Sequence, residues 1–305
     1  MIPLREAFGK YLLELAERRK DFFVLDADVA GGTFTHWFRD KYPDRFVQCG
    51  IAEQNMFGVA AGLSTLGIIP IVSTYAIFAS LRAIEQARNS IAYPNFNVKI
   101  IASHPGIDVG PDGATHQAIE DLAVYRAIPN FVVLSPADEI ELKKCLDFAL
   151  DYKGSVYMRT GRSPVPNIHE HNYEFRFKEP NVLKDGDGIV IFATGIETHR
   201  ALKAAEEYNV SVVNVPTLKP VDKYSFAEIL KGKKFAITCE DHNIIGGLGS
   251  LIDSIVAEFG LPVKVVKIGI MDKFGKSGDP KELAEVFKID EKAIKTEIKK
   301  CLEQL

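Results

Sequence analysis

Cysteine pairs, long apolar runs and an excess of either charge are all scarce in this sequence. Its four cysteines (Cys49, Cys145, Cys239 and Cys301) are scattered over 305 residues, and no two stand as C-x-x-C. The spacing argues against a thiolate metal site or a disulfide framework, and for free thiols in a reducing compartment. No apolar stretch approaches the about 18 residues of a membrane-spanning helix. The opening MIPLREAFGKYLLELAERRK is an amphipathic helix of mixed charge without signal-peptide architecture. A cytoplasmic protein with no membrane partner is therefore expected. A formal net charge of −4, with acids and bases interspersed, gives no footprint for nucleic acid.

What is present is ordinary globular material, 47% hydrophobic and 26% charged. At roughly 100–200 residues per domain, two domains are expected. The first half alternates strands with helices. DFFVLDADV, RFVQCG, IIPIVSTYA, FNVKIIASH, FVVLSPAD and SVYMRTG read as strands. Between them, helices are predicted over Pro3 to Arg19, around Met56, over IFASLRAIEQARNSIAYPN, over THQAIEDLAVYRAIPN and over EIELKKCLDFALDYKG. This rhythm predicts an α/β domain with a mainly parallel sheet. From about residue 161 to 188, prolines and charges without a period interrupt it. It then restarts in IVIFATG, ETHRALKAAEEY, VSVVNVP, KKFAITCED, GGLGSLIDSIVAEFG and PVKVVKIG, and ends in the helix DEKAIKTEIKKCLEQL. The expected organisation is an α/β domain over 1–162, a linker over 163–188 and a smaller parallel-sheet α/β domain over 189–305.

Ligand crevices of such sheets open at the carboxyl ends of the strands. The polar residues that matter are those just past strands. Glu53, in GIAEQNMFGVAAG, stands where a turn becomes a helix. It is either a helix-end carboxylate or an acid set against an apolar wall, where poor solvation raises its pKa. Tyr75 and Phe78, three residues apart at a helix start, are either core or a flat wall for a ring. The loop SHPGIDVGPDGATHQ holds His104, Asp112 and His116 among three glycines. As surface turns with Thr115 as a cap, these need no ligand. In combination they suit a hydroxylated substrate, with imidazoles that hydrogen-bond hydroxyls or move protons. Metal binding by the two histidines lacks a third ligand at a usual spacing. Arg5 and Arg159 offer forks for phosphate or carboxylate, or surface salt bridges.

Two glycine motifs carry less. GGLGS at 246–250 is G-G-x-G rather than G-x-G-x-x-G, and reads as a tight turn into a helix. GDG at 186–188, with Asn214 downstream, imitates a metal-diphosphate motif. It precedes an apolar strand instead of following one, so a turn opening the second domain is expected.

Together GIAEQNM, STYAIF, SHPGIDVGPDGATHQAIEDLAVYRAIPN, SPAD, YMRTGRSPVP, TLKPVD and EDHNIIGGLGS resemble the carboxyl-terminal half of transketolases, over nearly the whole chain. The resemblance implies a pyrimidine-binding domain followed by the family's C-terminal domain, and thiamine diphosphate with Mg²⁺. Glu53 would share a proton with the aminopyrimidine ring nitrogen, and Tyr75 and Phe78 would stack on that ring. His104 and His116 would bind sugar hydroxyls and assist proton transfer. Asp112 and Asp28 would orient hydroxyls, and Arg5 and Arg159 would hold the sugar phosphate. The reaction implied is transfer of a two-carbon ketol unit from a ketose phosphate to an aldose phosphate in the pentose phosphate pathway. Two positions depart from the pattern. Gly32 beside Thr33 stands where a serine is frequent, and Leu81 where a third aromatic is frequent.

The diphosphate- and Mg²⁺-binding domain of that family would precede the first residue. A separate N-terminal subunit and a two-fold assembly, a heterotetramer, are therefore expected. GIAEQ also fits deoxyxylulose-phosphate synthases and the beta subunits of 2-oxo acid dehydrogenases. The former usually carry arginine at the place of His104, and the latter lack the D-G-x-T-H-Q run. A non-catalytic partner that kept the fold would not need Glu53, His104, Asp112 and His116 together.

Overall fold

The computed structural model describes all 305 residues. In the first half the strands are β1 (Ile2–Pro3), β2 (Phe22–Asp26), β3 (Phe46–Gln48), β4 (Ile69–Tyr75), β5 (Lys99–Ser103), β6 (Phe131–Leu134), β7 (Ser155–Thr160) and β8 (Pro164–Val165). Six more follow: β9 (Asn181–Lys184), β10 (Ile189–Ala193), β11 (Ser211–Asn214), β12 (Thr217–Lys219), β13 (Phe235–Asn243) and β14 (Lys264–Ile270). The first sheet runs β12-β6-β7-β5-β4-β2-β3 and is parallel except at β12. The second runs β14-β13-β10-β11-β9, with only β9 antiparallel. β1 and β8 form a short antiparallel ribbon.

Successive residues of a strand face opposite sides of its sheet, so the near-continuous apolar runs cover both faces. Leu25, Val72 and Ile100 turn toward Met56, Phe57 and Ala60 of the helix Glu53–Ser64. Their neighbours Val24, Ile71 and Ile101 pack with Leu12 and Leu15 of Leu4–Arg18 and Leu142 and Leu146 of Glu139–Asp151. The core does not stop at the domain seam. Tyr125 and Phe131 of the first half share one apolar cluster with Phe192, Val213 and Leu248 of the second. β12 seals the junction by pairing with β6, so the second half lends the first sheet an edge strand.

Several expected elements differ in detail. Tyr75 ends β4 rather than starting a helix. The segment after it is coiled, but with wide turns in which Ala83 and Tyr93 donate to the carbonyls five residues back, of Phe78 and Arg88. His116 and Gln117 lie on an irregular loop, because the helix that follows starts only at Asp121. The stretch read as a linker contains β8 and β9, and buried His169 clamps it to Asp138 at 3.0 Å. No helix is long and apolar enough to cross a membrane.

The strand order reverses beside β2, with β3 on one side and β4 on the other. Parallel sheets open their ligand crevice at such a reversal. The carboxyl ends there belong to β2, β4 and neighbouring β5.

Candidate active site

Each of these strand ends delivers part of the site. Past β2, buried Asp26 accepts the Val29 amide at 2.9 Å and the Thr35 hydroxyl at 3.1 Å, which bends the chain. Asp28 follows, exposed, with a left-handed φ of 65°. At the end of β4, the Tyr75 and Phe78 rings lie almost parallel, 5.7 Å apart at 13°. Past β5, His104 takes a left-handed φ of 59° and brings its ring within 4.0 Å of the Tyr75 ring. Its Nδ1 is 2.8 Å from Ser103 Oγ, and its Nε2 is 3.4 Å from Arg5 Nη1. Burial, then the charges of Arg5 and Arg162, push the His104 pKa down to about 3. The imidazole is therefore neutral near pH 7 and offers one donor and one acceptor.

Arg5 lies in the first turn of Leu4–Arg18, not before it, and donates to the Gly32 carbonyl at 2.9 Å. A Cβ at Gly32 would sit 2.2 Å from the Tyr75 hydroxyl oxygen. That proximity explains the glycine at a place where the resemblance favours serine: the tyrosine phenol occupies the room a serine would need.

The loop between β5 and Asp121 closes the site from above. The His116 ring meets Phe78 edge-on at 5.5 Å and Tyr75 at 6.5 Å. Asp112 is exposed, with Arg162 Nη1 3.3 Å from its Oδ1. Arg162 also donates to the Val109 carbonyl.

Glu53 resolves differently from either sequence reading. It opens its helix but makes no capping hydrogen bond, and it is 2% exposed. Its two carboxylate oxygens both accept from Arg82 Nη1 at 3.2 Å. The half-exposed guanidinium in turn covers the Phe78 ring, 4.5 Å from its centroid. The acid therefore faces a cation as well as the apolar wall of Met56 and Phe57. A chain of contacts results, from Glu53 through Arg82, Phe78 and Tyr75 to His104 and Arg5.

Arg159 requires a correction. Its guanidinium is 5% exposed and forks Asp121, with Nε 2.8 Å from Oδ2, while Nη1 donates to the Asp241 carbonyl at 3.1 Å. Buried Asp108 and Asp241 line the same small cavity. The structure places it in a buried ion pair, with its donors engaged inside the fold rather than open to a phosphate. Arg162, three residues on, is the arginine that reaches the mouth of the site. Sequence reasoning passed over it, although Arg159 lies inside an apolar strand and Arg162 beyond its end. Arg82 was also missed; its one signal is its place four residues after Phe78.

The glycine motifs are accounted for by contacts within the chain. Gly246 and Gly247 lead into Leu248–Glu258, whose first amides, of Leu248 and Gly249, are accepted by buried Glu240 at 2.6 and 2.8 Å. A carboxylate of the chain thus stands where a nucleotide phosphate would. Asn214 donates to both oxygens of Glu141, at 2.8 and 3.0 Å, and is spent within the fold.

The parallel aromatic pair with a buried acid nearby fits the flat, nitrogen-bearing pyrimidine half of thiamine diphosphate. No group of three His, Cys, Asp or Glu side chains is arranged to hold a metal ion.

Comparison with known proteins identifies both halves of the chain. Residues 1–167 match the family model of the transketolase pyrimidine-binding domain, and residues 179–294 that of the transketolase C-terminal domain. A protein of Methanocaldococcus jannaschii named as a transketolase C-terminal section is 44% identical, covering 95% of this chain and 93% of its own. A Clostridium protein named as a 6-deoxy-6-sulfo-D-fructose transketolase subunit is 36% identical over 95% of this chain and 92% of its own. A solved structure described as a split-gene transketolase, an inactive β4 tetramer, superposes with a TM-score of 0.91 at 42% identity, covering 99% of both chains. The chain belongs to the transketolase family, of which it carries the pyrimidine-binding and C-terminal domains.

Proposed function

We propose that this chain is the C-terminal subunit of a split transketolase, catalytic only with a separate N-terminal subunit. The observation that carries the reading is the continuous set of Glu53, Phe78, Tyr75, His104 and Arg5 at adjoining strand ends. Thiamine diphosphate, when bound, supplies the carbon centre that carries a two-carbon ketol unit from a ketose to an aldose. The residues of this chain bind, orient and protonate around it. Glu53 would share a proton with the pyrimidine nitrogen, and Tyr75 and Phe78 would hold the ring. Neutral His104 pairs with a substrate hydroxyl, as donor through one nitrogen or acceptor through the other. His116 faces the same space and shuttles protons to the sugar oxygens. Asp112 and Asp28 orient hydroxyls further along the sugar, and Arg5 and Arg162 receive its terminal anion.

The partner carries the diphosphate and Mg²⁺ ligands. In support, relatives of this length are named as a C-terminal section and as a subunit, and one solved relative is a β-chain tetramer described as inactive. Assembly with two copies of each chain follows from two-fold preference. The substrates proposed are ketose and aldose phosphates of the pentose phosphate pathway.

The test mixes the chain with the candidate N-terminal subunit, thiamine diphosphate, Mg²⁺, xylulose 5-phosphate and ribose 5-phosphate. Sedoheptulose 7-phosphate is the expected product. Pyruvate turnover without ketol transfer rejects the reading, and substantial activity of the chain alone refutes the need for a partner. A parallel arm with a 6-sulfonated ketose separates phosphate from sulfonate use.

A further inference from the structure

The loop from His104 to Gln117 holds three of the proposed site residues, and its regular structure is limited to short 3₁₀ turns over Ile107–Asp112, kinked at Gly110. Gly106, Gly110 and Gly113 all adopt positive φ, at 66°, 76° and 77°. Backbone bonds hold the loop near its ends: His104 donates to Thr160 of β7 at 3.2 Å, and Gly106 to Ala118, just past the loop, at 2.8 Å. In its middle, Arg162 and Ser163 of the first domain bond Val109 and Asp108 from one side, and the second domain takes two backbone amides from the other. Asp241, near the end of β13, receives the Ile107 amide on Oδ1 at 2.9 Å and the Asp108 amide on Oδ2 at 3.1 Å. All three residues are 3% exposed or less. The carboxylate also fills the hollow beneath Gly106, where a Cβ would lie 2.2 Å away. Beside it, the Asn243 amide donates to the Ile119 carbonyl at 2.7 Å, and Gln117 Nε2 reaches the Lys276 carbonyl at 2.9 Å. Arg159 completes the clasp by tying the Asp241 carbonyl to Asp121 of the first domain.

We propose that Asp241 is a positioning residue: by receiving these two amides it sets the 104–117 loop, and with it His104 and His116, against Tyr75 and Phe78. The second domain, which contributes no side chain to the site, acts on the site through this carboxylate. Buried amides without a partner are rare and costly. Removing the carboxylate leaves the Ile107 and Asp108 amides unpaired and loosens the loop between its two histidines, with Arg162 and Ser163 as the remaining ties. The catalytic part of this proposal rests on the transketolase reading of those histidines; the clasp itself does not.

Hydrogen exchange on the full chain reads the clasp directly. In the wild type, the Ile107 and Asp108 amides should exchange as slowly as those of β13 and far more slowly than exposed loop amides. Fast exchange at these two positions overturns the proposal, whether or not any variant folds. In Asp241→Asn, one oxygen becomes a donor facing a donor, and exchange over 106–110 should rise at least about tenfold. Unchanged exchange there is a second refuting result. In the assembled enzyme, the same variant should lose about tenfold or more in kcat while the affinity for thiamine diphosphate stays constant. A loosened loop with unaltered kcat and KM also overturns the positioning role. If the assembled wild type transfers no ketol unit, the functional reading fails, while exchange still reports on the clasp.

Discussion

Glu53 and Arg162 are the side chains whose loss discriminates most sharply among the roles proposed here. Glu53 is buried, and its carboxylate is held at Phe78 by one guanidinium. In the proposed site this carboxylate faces the cofactor's ring, so its removal should tell on turnover and not on folding. Glu53→Ala is expected to keep the far-ultraviolet dichroism of the chain and to lower kcat of the assembled enzyme by about 10²–10⁴. Full activity would remove Glu53 from the mechanism. Arg162 lies at the mouth beside Asp112 and is only partly buried. Arg162→Ala should raise KM for a phosphorylated ketose about tenfold or more, with little change for the unphosphorylated sugar and none in thermal midpoint. An equal loss on both sugars would mean that Arg162 does not see the phosphate.

Among elements, β7 shows how a strand and the turn after it divide labour. Arg159, inside β7, is enclosed with Asp121, Tyr157 and the Asp241 carbonyl. The neighbouring guanidinium and the Tyr157 hydroxyl hold the Asp121 carboxyl below its usual range against the penalty of burial. Arg159→Met should therefore leave an uncompensated carboxylate and cost about 3–5 kcal/mol, read as a lower urea midpoint. A shift in KM for phosphate at unchanged stability would contradict the structural assignment. Elements were legible in the sequence wherever both sheet faces are buried, as in FVLD of β2 and IIAS of β5. They were not legible where geometry departs from a period. The wide turns after Phe78 bring Arg82 onto that ring, and nothing in helical spacing marks an extra residue in a turn. β12 was invisible as a strand of the first sheet because three residues carry no alternation, and its pairing with β6 is decided by domain docking. Within the site, residue types placed Tyr75, His104 and His116 correctly near one another. Separating Arg159 from Arg162 depended on where β7 ends.

For the whole molecule, the seam between the sheets concentrates acid. Asp108 of the loop, Asp241 of β13 and Glu197 of the helix Glu197–Ala204 are all fully enclosed there, with Arg200 bonded to Glu197 and Arg159 nearby. Asp108 has no cation in direct contact, accepting only the Ser163 amide at 2.8 Å, and its Oδ1 has no partner. Burial, helped by Asp241, pushes its pKa from 3.8 up to about 6. Burial does the same for Glu197, from 4.5 to about 8, with Asp241 and Asp108 adding to the rise and Arg200 opposing it. Both groups keep protons in the fold that they release on unfolding. The folded state thus binds more protons across this interval, and raising the pH favours unfolding. The stabilisation is complete below the ordinary carboxyl values and is lost as pH rises through about 6 for Asp108 and about 8 for Glu197. Buried His104 and His242, with lowered values of about 3 and about 4, act in the opposite sense, so the test is a difference: the urea midpoint of the wild type relative to that of Asp108→Asn, which cannot ionise, should fall between pH 5 and pH 7. An Asp108→Asn slope equal to the wild type would show that Asp108 is charged in the fold. The consequence reaches the site, because Asp108 donates its amide to Asp241 in the clasp that holds the histidine loop. Ionisation of its side chain places a second negative charge beside that clasp, so loop exchange over 106–110 should quicken with pH beyond the ordinary chemical acceleration, and Asp108→Asn should remove the excess.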